Sequence, residues 1–164
     1  MAETNVASTA DREIVITRTV DAPRTLVWQA WTQPGQIEQW WGPNGFRTTT
    51  YERSVKVGGV WRFTMHGPDA RYGATDFPNR IIYREIVKPE RLVYDHDDDA
   101  PSPTHVFHAT ITFEDDNGRT KITLRSLFPT VEARDATIKF GAVEGGKQTL
   151  ARMEAHLAVM KSQA

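Results

Sequence analysis

Two residues in this sequence, Glu85 and His96, could carry acid–base chemistry. Each lies in a stretch with the alternating pattern of a strand, and closing the turn at Pro89-Glu90 would pair His96 with Tyr83. In that register both side chains face the interior, where an unpaired carboxylate is costly and a general base of raised pKa becomes an option. The alternative for Glu85 is an ion pair, with Arg53 as one candidate partner, or an exposed strand end. The spacing leaves both interpretations open.

A second polar group, residues 95–99 with His105 and His108 nearby, has the residue types of a metal site. His96 opposite His105 and an aspartate would supply three ligands. The run lacks the spacing and the glycine of a calcium loop, and acidic runs in hairpin loops are usually solvated. We therefore predict no metal site and no cofactor. The chain also has no cysteine nucleophile and no Gly-x-Ser-x-Gly elbow for a serine triad.

The longest predicted element is a C-terminal helix over residues 142–160. Its apolar residues recur at helical spacing along one stripe, and charged residues cover the other face. Most of the remaining chain has the pattern of strands, apart from two predicted short helices. The first begins near residues 21–25 and ends near residues 33–35, and the second covers residues 36–41. A lone amphipathic helix must bury its stripe, and here only a sheet is available. The sequence therefore predicts a helix lying across a curved sheet, with a cavity between them.

The clearest hairpin pairs residues 106–114 with residues 120–128 around Asn117-Gly118. A two-residue turn there places Glu114 opposite Lys121 on one face and Phe113 opposite Ile122 on the other. A half-buried sheet requires this separation of charged and apolar pairs, and a slip by one residue would destroy it. The register of this hairpin is thus predicted residue by residue.

The inner face of the hairpin predicts the cavity beneath the helix. Ala109 lies opposite Ser126, and two such small side chains leave room below mid-sized helix residues. Gly145-Gly146 near the start of the helix removes further side-chain volume. Any single aromatic residue here is well explained as core, but an apolar lining with a few polar groups is typical of ligand sites. The predicted lining is Trp41, Trp61, Phe63, Met65, Tyr83, Glu85, Tyr94, His96, Phe107, Ala109, Ser126, Gly146, Leu150 and Met153.

Composition narrows the class of protein. A chain of 164 residues with 39% hydrophobic residues, 25% charged residues and a net charge of -1 is typical of one soluble globular domain. Residues 1–11 are polar and aperiodic, which predicts a disordered leader before a single domain at residues 12–164. We expect no nucleic-acid partner, because there is no basic stripe, and no membrane insertion, because there is no long apolar run. Without a signal-peptide core, the default location is cytoplasmic.

Four motifs in this chain resemble those of the activator of heat-shock-protein-90 ATPase homologue group. They are residues 27–32 (VWQAWT), 40–43 (WWGP), 57–63 (VGGVWRF) and 83–93 (YREIVKPERLV). That group belongs to the START-like (SRPBCC, helix-grip) superfamily, and the resemblance covers about residues 13–160. It implies an α+β helix-grip fold. In that fold a curved sheet of six to seven antiparallel strands grips a long C-terminal helix, and two short helices follow the first strand.

The resemblance and the predicted cavity together favour the binding of a small, mostly hydrophobic molecule. One alternative is an enzyme of the cyclase or proton-transfer type acting on a polyketide-like or other carbonyl substrate, with Glu85 or His96 as acid or base. Another is a module that contacts a chaperone or a second copy of itself, with the cavity filled by its own side chains. Domains related to this group serve several such roles, so the fold alone does not choose among them.

Overall fold

A computed structural model describes residues 9–71, 73–103 and 105–163 of the chain. Within these residues, seven antiparallel strands form one sheet in the order β1-β7-β6-β5-β4-β3-β2. The strands are β1 (Glu13–Val20), β2 (Arg47–Arg53), β3 (Val60–His66), β4 (Asp76–Val87), β5 (Arg91–Asp97), β6 (Phe107–Asp116) and β7 (Arg119–Leu127). The helices are α1 (Arg24–Thr32), α2 (Val131–Lys139) and α3 (Ala142–Ser162). The predicted α+β helix-grip layout is confirmed.

The register of the β6–β7 hairpin is the predicted one. Glu114 pairs with Lys121, and Ala109 pairs with Ser126. Asn117 and Gly118 both have positive φ angles, 53° and 85°, as the tight turn of a two-residue hairpin requires. Local turn chemistry and the separation of charged from apolar pairs therefore act together to fix this register.

The predicted register between β4 and β5 is wrong, and this moves Glu85. Tyr83 pairs with Tyr94, but Glu85 pairs with Val93, because a bulge at Arg84 adds one residue to β4. The bulge turns Glu85 to the outer face of the sheet, where its side chain is 45% exposed and ion-paired with Arg91. The proposed interior carboxylate is thus a surface ion pair, and its partner is Arg91 rather than Arg53.

The connection from β5 to β6 also differs from the prediction, with less effect. His96 pairs with Phe107 rather than with His105, and Tyr94 pairs with Ala109. Because the shift is two residues, each side chain stays on its predicted face. His96 and Tyr94 are both buried, as the inner-face assignment requires.

Helix α3 buries the predicted stripe against the sheet, through Leu150, Met153, Leu157 and Met160. No described residue of α3 before Leu150 is buried. Gly146 lies close to β1: a Cβ atom at this position would be 2.4 Å from Cδ1 of Ile16. The missing side chain therefore lets the helix backbone pack against Ile16. Gly146 was expected to add volume to the cavity, and this expectation is wrong because Ile16 fills the space.

We expect the two neighbouring glycines of α3 to respond differently to alanine. Both changes gain about 1 kcal/mol of helix propensity. At Gly145 the new Cβ would lie 3.3 Å from Cγ of Pro43, whereas at Gly146 it would force Ile16 to move. Overpacking costs about 1–3 kcal/mol, and Cδ1 is the end of a side chain that can rotate, so Gly145→Ala should be more stable than Gly146→Ala by about 1 kcal/mol, the lower end of that range. Urea unfolding of the two variants measures this difference, and equal midpoints would contradict the close approach of α3 to Ile16.

Three local predictions need correction. The second short helix is only a 3-10 turn, Ile37–Gln39, and α2 was not predicted at all. The sequence signal for α2 is its N-cap, since Oγ1 of Thr130 accepts a hydrogen bond from the backbone N–H of Ala133. Of the predicted leader, residues 1–8 lie outside the described residues. Ala10–Arg12 form a 3-10 turn, and Arg12 donates from Nη1 to the Phe128 carbonyl at 2.9 Å, so the disorder predicted for residues 10 and 11 is wrong.

Candidate functional site

The space between the sheet, α1 and α3 is dominated by aromatic rings. The ring of Trp31 lies 4.9 Å from that of Trp40 and 5.8 Å from that of Trp41, while Trp61 stacks on Phe63 at 3.9 Å. The void among these side chains is too narrow for a water molecule, so the cavity expected at this place is closed. Its walls are Trp31, Ile37, Trp41, Trp61, Ile81, Tyr83, Leu92 and Tyr94.

The aromatic lining continues along the inner face toward β7. The rings of His96 and Phe107 are 4.7 Å apart, and those of Phe107 and Phe128 are 5.3 Å apart. Ala109, which is 1% exposed, and half-buried Ser126 face each other beside this row. The paired small residues are therefore present as predicted, and neither of them lines the aromatic void.

Arg53 is the main polar group beside the aromatic void. Its Nη2 donates to the Trp31 carbonyl at 2.5 Å and lies 3.4 Å from the Tyr83 hydroxyl. Its guanidinium carbon is 5.2 Å from the centre of the Trp61 ring. Arg53 Nε is buried and has no hydrogen-bond partner among the described residues, and the same holds for Oε1 of Glu38. One donor and one acceptor are thus left unpaired at the edge of the interior.

The two phenols beside Arg53 are neutral hydrogen-bonding groups. Burial raises the pKa of Tyr83, with the charge of Glu38 acting in the same direction and Arg53 opposing it. Burial likewise raises the pKa of Tyr94, far beyond the physiological range. The phenols therefore add polar hydroxyls but no charge to this part of the molecule.

His96 is the second polar group on the inner face. Its Nε2 lies 2.8 Å from Oδ1 of Asn79, and the rings of Phe63 and Tyr94 lie 6.0 and 6.3 Å from its own ring. Burial lowers the pKa of His96 to about 4, with the charge of Asp97 opposing weakly. His96 is therefore neutral at pH 7, and a pKa this low makes it a weak base, so an orienting hydrogen bond suits it better than proton abstraction.

The acidic residues on both sides of His96 in the sequence form ion pairs on the outer face of the sheet. Asp95 accepts hydrogen bonds from Arg84 Nε and His108 Nδ1, both at 2.8 Å. Asp97 pairs with Arg80 at 2.8 Å, and Asp99 pairs with Arg62 at 3.0 Å. His96 points to the opposite face, so the three metal ligands considered above are not brought together. In the part of the chain that the structure describes, no group of three His, Cys, Asp or Glu residues could hold a metal ion.

The structure brings most of the predicted lining together. Trp41, Trp61, Tyr83 and Tyr94 surround the void, and Leu150 and Met153 cover the core from α3. Phe63 is buried, while Met65 and Phe107 are partly buried and pack against the core. Glu85 and Gly146 do not contribute as expected. The sequence did not predict roles for Glu38 and Trp31 or the interior position of Arg53. For Arg53 a signal was present, because it pairs with the buried residue Trp61 across the β2–β3 connection.

Comparison with known proteins agrees with this architecture. The sequence profile of the family described as "Activator of Hsp90 ATPase homolog 1-like protein" matches residues 21–158. No protein among curated ones matches the chain. In the part of the chain that the structure describes, no helix has the length and apolar character needed to cross a membrane.

Several solved structures share the fold. A protein from Arthrobacter aurescens is 27% identical, with a TM-score of 0.81 over 93% of this chain and 90% of that one. A protein from Nitrosomonas europaea is 21% identical, with a TM-score of 0.79 over 92% and 97% of the two chains. An AHSA1-like protein from Aeromonas hydrophila is 18% identical, with a TM-score of 0.64 over 91% and 94%. These likenesses concern the fold.

Proposed function

Because the chain belongs to the family of Activator of Hsp90 ATPase homolog 1-like proteins, we propose that it binds a small, mostly apolar molecule with one polar end. The family fits a ligand-binding module or a module of the chaperone-activator kind, and the geometry favours the first. The observation that carries the proposal is that Arg53 Nε and Glu38 Oε1 are buried without a partner among the described residues. Arg53 contacts the wall residues Trp31 and Tyr83, and the charge of Glu38 acts on Tyr83.

The two unpaired atoms define the polar end of the ligand. Buried polar groups without a partner are rare in folded proteins, and each costs about 1–3 kcal/mol. A hydroxyl or an amide on the ligand could accept from Arg53 Nε and donate to Glu38 Oε1. These two residues, and not Glu85, would therefore hold the polar end of the ligand.

The aromatic walls define the apolar body of the ligand. Removing apolar surface from water there contributes about 25 cal/mol per Å². Neutral His96, held by Asn79, offers one further hydrogen-bonding group deeper along the inner face. A flat or aromatic molecule suits walls made of Trp31, Trp61 and Tyr94 best, since offset and edge contacts between rings are favourable.

Trp41 is the wall residue that can move at least cost. The indole N–H of Trp31 donates to Met153 Sδ at 3.0 Å, and that of Trp61 donates to Thr50 Oγ1 at 3.0 Å. Trp41 is only half-buried, and its indole N–H makes no hydrogen bond to a described residue. Rotation of this side chain would open the void to solvent and make room for the ligand.

Native mass spectrometry of the protein, after incubation with an extract of apolar metabolites, tests the proposal. We expect wild-type protein to retain a small molecule and Glu38→Met to lose at least about tenfold in affinity, since a hydrogen bond to a charged group is removed. Glu38→Met should fold as stably as wild type, because the carboxylate oxygen it removes has no partner. The matched control is Glu52→Met on β2, whose carboxylate is exposed. Wild-type protein without an adduct, or equal retention by Glu38→Met, would contradict the proposal.

A further inference from the structure

We propose that a groove beside the C-terminal half of α3 is a second binding site, which takes a small organic carboxylate through Arg152. The groove has a volume of about 590 Å³ and lies between α3 and the turn that follows α1. Its walls include Gln36, Gln39, Arg152, Ala155, His156 and Val159. None of its described lining residues is shared with the walls of the aromatic void, so this site is independent of the function proposed above.

The guanidinium of Arg152 is held in place by backbone carbonyls. Its Nη1 donates to the carbonyls of Gly42 at 2.8 Å and Pro43 at 3.0 Å. Its Nε and Nη2 make no hydrogen bond to a described residue and are not among the buried unpaired atoms, so this edge is open to solvent. Two parallel N–H groups on one edge of an arginine match the two oxygens of a carboxylate.

Arg152 also lacks a counter-ion. Among the described residues, no carboxylate lies within ion-pairing distance of its guanidinium, and no acidic residue lines the groove. Burial lowers the pKa of Arg152, as expected for a cation that is partly desolvated without a carboxylate nearby. An anion in the groove would supply the missing charge.

The other walls indicate an organic anion and not a bare inorganic one. His156 Nε2 lies 2.7 Å from Gln36 Oε1, which occupies the amide oxygen and leaves the amide N–H groups of Gln36 as donors. Ala155 and Val159, the latter 48% exposed, give an apolar wall on the same helix. A groove of this volume is in the range of sites for drug-sized ligands. A carboxylate on a compact apolar body fits both the cation and this wall.

A pair of opposite charges at Val159 tests the site without touching Arg152. With benzoate as the probe, followed by 1H–15N NMR of the whole protein, Val159→Lys should tighten binding about two- to fivefold and Val159→Glu should weaken it by a similar factor. Arg152→Lys keeps the charge but not the paired N–H edge, and should weaken binding about tenfold. Ala155→Phe should block the groove and abolish binding while leaving Arg152 intact.

The control places the same charges elsewhere on the surface. Val57→Lys and Val57→Glu, at an exposed residue of the β2–β3 connection, should leave benzoate affinity unchanged. Equal affinities of the two Val159 variants would overturn the proposal even if Arg152→Lys failed to fold. Inorganic phosphate binding as tightly as benzoate would overturn the assignment of an organic ligand.

Discussion

Replacing Trp31 with alanine is expected to lower the free energy of unfolding by about 3–5 kcal/mol, the usual range for truncating a large buried aromatic residue. Trp31 is 2% exposed and meets the rings of Trp40, Trp41 and Phe113. Its indole N–H also donates to Met153 Sδ on α3. This one side chain of α1 thus contacts the sheet, the residues after the 3-10 turn at Ile37–Gln39, and α3. Urea denaturation at pH 7, followed by far-ultraviolet circular dichroism, measures the loss.

Trp41→Ala is the informative comparison for this variant. Trp41 contacts the rings of Trp31, Trp61 and Phe63, but it is half-buried and lacks an indole hydrogen bond to a described residue. We expect its truncation to cost less, about 1–2 kcal/mol. Equal losses from the two variants would show that Trp41 is as much a part of the core as Trp31, and would remove the residue that we assign to the entrance of the ligand site.

The β6–β7 hairpin and α3 could be predicted because each is specified by short-range pattern. Asn117-Gly118 fixes a two-residue turn, and the charged and apolar pairs that flank it agree with a single register. In α3 the apolar spacing fixes which face is buried before the sheet is known. Where two such local signals agree, the sequence determines the structure residue by residue.

The β4–β5 register could not be extended in the same way because a bulge reverses every side chain beyond it. Ile81 and Tyr83 are two residues apart and both buried, whereas Ile86, three residues after Tyr83, packs against the core. This change from even to odd spacing of the apolar residues is how the bulge at Arg84 is visible in the sequence. The odd spacing predicts that Glu85 lies on the outer face.

The volume between α3 and the sheet depends on distances that residue types do not fix. Ala109 and Ser126 are small, as the cavity argument required, but glycine at position 146 lets α3 lie directly on Ile16 and reduces the separation. The approach of Arg53 to the Trp31 carbonyl joins β2 to the end of α1, two segments with no shared sequence pattern. Such contacts follow from tertiary packing and could be found only in the structure.

The free energy of unfolding is expected to fall by about 2 kcal/mol between pH 7 and pH 5 because of His96 alone. Burial lowers the pKa of His96 in the folded chain from 6.5 to about 4. Between these two pH values the unfolded chain binds a proton that the folded chain does not, so stability decreases as the pH falls. The full stability is present above pH 6.5, and the decrease ends near pH 4. Between pH 6.5 and pH 5 the slope of about 1.4 kcal/mol per pH unit gives the stated loss.

His96→Gln is expected to remove this loss, since an amide can still bond Asn79 but does not titrate. Chemical denaturation at pH 7 and at pH 5 measures both proteins, and His108→Gln on the outer face is the control that should retain the loss.

If wild type and His96→Gln lost equal stability, His96 would be able to reach water and accept a proton without disturbing its aromatic neighbours. That result would also weaken the ligand proposal, because a neutral His96 among Phe63, Tyr94 and Phe107 is part of the same closed interior. In the neutral imidazole Nε2–H donates to Asn79 Oδ1 and Nδ1 is an acceptor, so a ligand that donates a hydrogen bond to Nδ1 requires an uncharged His96, and the pH dependence tests that condition.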